Sequence, residues 1–133
     1  MPDRSNASDT ELSLGRIGQI AITVRDLDRA VAFYRDVLGM KFLFKAPPKM
    51  AFFDCGDVRL LLGEPESAGG ELHSSVIYYL VDDIRSASET LKARGATIKA
   101  EPAMIAKMPD HELWLCELRD SEDNALALMS EVR

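Results

Sequence analysis

The sequence predicts an α+β protein made of two tandem βαβββ modules, and three observations carry that prediction. An alternating strand hands over to a helix through Val-x-Asp-Leu in "IAITVRDLDRAVAFY", and "VIYYLVDDIRSASETL" repeats the hinge later in the chain. Val24, Asp26, Leu27 and Ala30 match Val81, Asp83, Ile84 and Ala87 at a constant offset, and Gly39 meets Gly95 after a one-residue gap. The turn pairs Gly56-Asp57 and Asp123-Asn124 each precede an apolar strand followed by Glu64 or Glu131. Matched punctuation of this kind marks an internal repeat.

In the first module, residues 17–24 alternate, with Ile20, Ile22 and Val24 on one side and Gln19, Ala21 and Thr23 on the other. That is a strand with two different faces. Asp26 is an N-cap candidate. Leu27, Ala30, Val31, Tyr34, Val37 and Leu38 fall at helical spacing, so a helix is expected over 27–38, ended by Gly39. Strands are expected at 41–45, at 50–54 after the Pro47-Pro48 break, and at 58–62 after the Gly56-Asp57 turn. The Gly- and Glu-rich stretch 64–73 is the connecting loop.

The second module repeats the order. A strand is expected at 76–81, a cap at Asp83, a helix at 84–94 ended by Gly95, and strands at 97–100, 113–118 and 125–129. Its extra length, 101–112, is expected to be an enlarged loop. The modules then span 15–64 and 74–131 of a single domain, 15–133, after a polar, disordered tail over 1–14.

Composition narrows the function. A 47% hydrophobic content over 133 residues is sufficient for one core. No run of about 18 apolar residues occurs, so no membrane span is expected. The polar start lacks the apolar segment of a signal peptide, which predicts a cytoplasmic protein. Cys55 and Cys116, in unrelated apolar contexts without an export signal, are expected to be free thiols. A formal charge of −6 without Lys/Arg clusters argues against a nucleic-acid partner.

The stretches "IAITVRDLDRAVAFYRDVLGM", "VDDI…LKARGA" and "LRDSEDNALALMSE" resemble the vicinal oxygen chelate superfamily, the glyoxalase/bleomycin resistance/dioxygenase fold. The last is similar to the family's Arg-Asp-Pro-Asp-Gly-Asn ending, with Ser121, Glu122 and Asp123 in place of Pro, Asp and Gly. The resemblance implies that the modules form an open, curled mixed sheet with the helices outside. It also implies four metal-ligand positions in the metal-dependent members, which by matching punctuation fall here at Gln19, Leu60, Val76 and Ala127. One amide oxygen among three hydrocarbons does not hold a divalent ion, so no metal and no cofactor are expected.

Strand parity places Ala21 and Thr23 inside with Gln19, and Val76, Tyr78 and Leu80 inside in the second module, with Met50 or Phe52 and Leu62 at the border. The expected ligand site is therefore Gln19, Thr23, Phe52, Leu60, Tyr78, His111 and Trp114, a largely apolar cavity with a few polar handles. Those side chains are equally the ordinary filling of a small barrel. His73 reads as a loop residue, and Glu64 and Glu131 as solvated. His111-Glu112 lacks any metal-motif partner, and His111 reads either as a plain loop residue or as a polar pocket wall. Trp114 has two readings, core residue or stacking platform.

The function expected is a metal-free homodimer that binds a small, largely apolar organic molecule. The alternative is an enzyme of the same superfamily. It would be either a metal-independent acid–base catalyst using Tyr78, His111 or Glu112, or a metal-dependent lyase or isomerase of the glyoxalase or epimerase kind.

Overall fold

The computed structural model describes residues 12, 14–65 and 75–133. Most of the expected N-terminal tail, most of the connecting loop and His73 lie outside the described residues. In chain order the elements are β1 (Gln19–Thr23), α1 (Leu27–Ala32) continued by a π-helical turn (Phe33–Val37), β2 (Lys41–Ala46), β3 (Met50–Cys55) and β4 (Val58–Gly63), then β5 (Ile77–Leu80), α2 (Ile84–Ala93), β6 (Thr97–Lys107), β7 (Glu112–Arg119) and β8 (Ala125–Val132). They form two four-stranded sheets of order β1-β4-β3-β2 and β5-β8-β7-β6. β1 runs parallel to β4 and β5 parallel to β8, while the other pairs are antiparallel. Both sheets are therefore mixed, and the chain is α+β with the βαβββ order repeated.

The predicted caps form. Asp26 accepts the Arg29 amide at 3.0 Å and Asp83 the Ser86 amide at 3.1 Å, each satisfying an amide that the first turn leaves unpaired. Gly39 and Gly95 take φ of 75° and 96° after the helices, a left-handed conformation that a side chain disfavours. α1 buries Leu27, Ala30, Val31 and Tyr34 against β1, β3 and β4, and α2 buries Ile84 and Leu91 against β7 and β8. Leu38 packs against both cores and joins them.

Two expectations are corrected. The helix over 27–38 is not uniformly α: the amides of Leu38 and Met40 reach back to the carbonyls of Phe33 and Tyr34, which widens the turn. Residues 101–107 are not loop but the continuation of β6, paired with β7 through three register shifts. The bulges explain why the alternation is illegible, and Pro102 fits a bulged strand at the sheet's edge.

The modules are latched by the turn between β7 and β8. Glu122, whose side chain is fully buried, accepts the Arg25 and Asp26 amides at 3.0 Å each and a two-point contact from Arg29 at 2.7 and 3.0 Å. Asp120 accepts the Tyr34 hydroxyl at 2.8 Å, and Asn124 Nδ2 donates to the Thr23 carbonyl at 3.1 Å. The polar ending of the second module thus closes the strand-to-helix hinge of the first. Glu64 is also corrected: it is not solvated but accepts the Leu27 amide at 2.7 Å, at the start of α1.

Candidate functional site

Alternation along each strand gives every sheet one face under its helix and one open face. In the first sheet Ile22, Leu60, Leu62, Ala51 and Phe53 pack under α1. The open face therefore carries Gln19, Ala21 and Thr23 from β1, Arg59, Leu61 and Gly63 from β4, and Met50, Phe52 and Asp54 from β3. The parallel pairing sets Gln19 opposite Arg59, Ala21 opposite Leu61 and Thr23 opposite Gly63.

These side chains engage one another. Arg59 Nε donates to Gln19 Oε1 at 3.2 Å, and the guanidinium carbon stands 5.3 Å from the Phe52 ring centroid, a cation–π distance. Phe52 in turn packs on Phe44, with centroids 4.8 Å apart. Toward the other end of the same face, Ala21, Thr23, Met50, Leu61, Gly63 and Glu64 line a cleft of about 300 Å³.

In the second sheet Ile77 and Tyr79 turn toward the cores, which leaves Val76, Tyr78 and Leu80 on the open face at 45%, 52% and 69% exposure. Tyr78 stands opposite Ala127. Burial beside Cys55 and Asp120 raises the phenol of Tyr79 well above its usual range.

Several expected site residues stand elsewhere. Leu60, and with it Leu62, is buried under α1 at 2% and 0% exposure and faces away from Gln19. The strand reads "VRLLLG", and its apolar run conceals which parity is covered. Trp114 is on the helix side of β7: it packs against the core of Cys116 and Leu118, under the Arg85 guanidinium at 5.0 Å. The stacking-platform reading of Trp114 is therefore set aside for this face.

His111 lies in the turn between β6 and β7, with Nδ1 2.7 Å from Asp110 Oδ1, beside a cleft of about 310 Å³. That hydrogen bond holds the Asp110 carboxyl below its usual range. Glu112 accepts Trp114 Nε1 at 3.0 Å, so the two adjacent side chains are engaged with different partners. The residue that sequence reasoning missed is Arg59. Its signal was a lone charge in an apolar strand, which must face the uncovered side.

The metal positions of the fold can be tested against these faces. With Leu60 removed, the neighbours of Gln19 on β4 are Arg59 and Leu61, and the second sheet offers Val76, Tyr78 and Ala127. Gln19 Oε1 already accepts from a guanidinium, a fixed positive charge. Among the described residues no group of three or more His, Cys, Asp or Glu side chains could hold an ion. The residues present do not fit a divalent metal site.

Two βαβββ modules, each with one sheet face open, define the vicinal oxygen chelate class. A family model of the Glyoxalase/Bleomycin resistance protein/Dioxygenase superfamily matches residues 16–106, and the chain belongs to that superfamily. Among solved structures, the chain is similar to a superfamily member from Sphaerobacter thermophilus, at 24% identity and TM-score 0.74, covering 90% of this chain and 100% of that one. A lactoylglutathione lyase from Agrobacterium tumefaciens aligns at 23% identity and TM-score 0.70, covering 90% and 96%. A superfamily member from Alicyclobacillus acidocaldarius aligns at 19% and 0.69, covering 90% and 93%. At these identities the likeness is one of fold. No curated protein sequence matches the chain. No helix among the described residues is long and apolar enough to cross a membrane.

Proposed function

We propose that the protein is a binding member of its superfamily, which holds a small, largely apolar organic molecule on the open sheet faces without a metal ion. One observation carries the reading: a guanidinium is hydrogen-bonded to Gln19, and Leu61, Val76 and Ala127 at the other positions offer no donor, with the Glu117 carboxylate opposite Ala127. Exposed Phe44, Val76, Tyr78 and Leu80 supply the apolar surface such a ligand needs. Sheet edges at β2 and β6 favour a second copy of the chain as their cover, and the working unit is proposed to be a homodimer.

A metal-dependent lyase of the glyoxalase kind would need donors that Arg59, Leu61, Val76 and Ala127 do not supply. For acid–base catalysis by Tyr78, His111 or Glu112, His111 and Glu112 are each already engaged, with Asp110 and Trp114, and Tyr78 faces the open sheet beside the apolar Val76, Leu80 and Ala127.

Native mass spectrometry of the protein as purified tests the reading, since it reports bound organic mass, metal and subunit number together. The expected spectrum is a dimer with organic adducts and no stoichiometric ion. Nickel, zinc, cobalt or manganese should leave the melting temperature unchanged, because an ion that bound only the folded state would raise it. One tightly bound ion per chain, lost on Gln19→Ala, would overturn the proposal.

A further inference from the structure

We propose that the open face of the first sheet recognises an organic monoanion, a carboxylate attached to a flat apolar body, with Arg59 as its anion-binding group. This deepens the small-molecule reading by naming the ligand class, and it rests on that reading.

Arg59 stands near one end of the face, with Gln19 beside it on β1 and Asp54 opposite it on β3. Its Nε is occupied by Gln19 Oε1, and its plane is held over Phe52. Both contacts orient the guanidinium, and they leave its terminal amino groups without a hydrogen-bond partner among the described residues. A guanidinium held in this way presents the planar fork that matches a carboxylate.

The charge also has no ion-pair partner among the described residues. Asp54 shares the face and the register, yet no ion pair to Arg59 forms within 4.0 Å among the described residues. The Phe44–Phe52 pair and Leu61 supply an apolar surface next to that charge. A lone guanidinium with Asp54 beside it, on a chain of net charge −6, favours one negative charge over two. That selects a carboxylate over a phosphate monoester. Gln19 acts here as a positioning residue: it fixes the fork and leaves the anion to Arg59.

The test uses the full chain and two probes of one shape, 2-naphthoate and the neutral 2-naphthamide, followed by calorimetry and amide NMR shifts. Naphthoate should bind about tenfold more tightly, as one exposed charge-assisted contact allows, and should shift β3 and β4 resonances. Arg59→Gln should abolish the preference by weakening naphthoate far more than naphthamide, while Phe52→Leu weakens both probes. Gln19→Leu should reduce the preference by weakening naphthoate more than naphthamide, an effect that a purely structural role would not give. Because Arg59 and Gln19 are exposed, unfolding curves of these two variants should superimpose on the parent, which keeps the comparison valid. Equal affinity for the two probes would overturn the anion assignment while leaving the apolar-ligand reading intact. A preference that survives Arg59→Gln would also overturn it, and binding of neither probe would overturn both.

Discussion

Replacing Glu122 with glutamine keeps the shape of the side chain and removes its charge, which isolates the latch between the modules. In the folded protein burial alone would raise the Glu122 carboxyl above its ordinary 4.5. The Arg29 guanidinium, the Ser121 hydroxyl and the Asp26 and Arg25 amides outweigh that and bring it down to about 2. A folded-state value depressed in this way contributes stability that is present above pH 4.5 and is lost as the pH falls toward 2. At about 1.4 kcal/mol per pH unit, the charge is linked to about 3 kcal/mol.

Breaking a buried pair by removing one partner costs about 3–5 kcal/mol. Arg29 is 54% exposed, however, so solvent recovers part of the loss. We therefore expect Glu122→Gln to lower unfolding free energy by about 2–3 kcal/mol at pH 7, or roughly 7–11 °C in melting temperature for a chain of this length. Urea unfolding measured from pH 7 to pH 2 is the assay. The parent should lose stability between pH 4.5 and 2, and the variant's profile should be flatter, so that the curves converge in acid. Parallel pH profiles, or a variant as stable as the parent at pH 7, would refute the reasoning.

Tyr34→Phe should cost about 1–2 kcal/mol, because it removes the hydroxyl that Asp120 accepts at a buried site. Chemical unfolding at neutral pH measures it, and no loss would deny the bond any net worth. Burial and the neighbouring Asp120 push the Tyr34 phenol far upward, so ultraviolet titration should find Tyr34 and Tyr79 protonated until the chain unfolds in alkali. Asp123 holds a φ of 67° at the turn position where the first module has Gly56, at 71°. Asp123→Gly should relieve that conformation and stabilise by about 0.5–1 kcal/mol after glycine's entropic penalty, and a lower melting temperature would contradict it.

How far each feature was legible follows the range of the interaction that sets it. Asp26, Asp83, Gly39 and Gly95 act on amides or dihedrals within one helical turn, so their roles stood in the local pattern. β1 also stood there, because Gln19, Ala21 and Thr23 differ in polarity from Ile20 and Ile22. β4 and β7 did not: in "VRLLLG" and "LWLCEL" nearly every side chain could be buried. Only pairing decided which way they face: with β1, some forty residues away, for Leu60 and Arg59, and with β6 and β8 for Trp114. The wider turn after α1 and the bulges of β6 were likewise settled by packing and pairing, which local periodicity does not encode. The same holds for Glu122, an ordinary turn residue until the fold carries it across 96 positions to the Asp26 amide. The sequence by itself determined the order of the elements, the helix caps and the absence of donors at three of the four metal positions. The tertiary structure decided which faces are open, because a strand's covered side is set by its neighbours' register and not by its own residues.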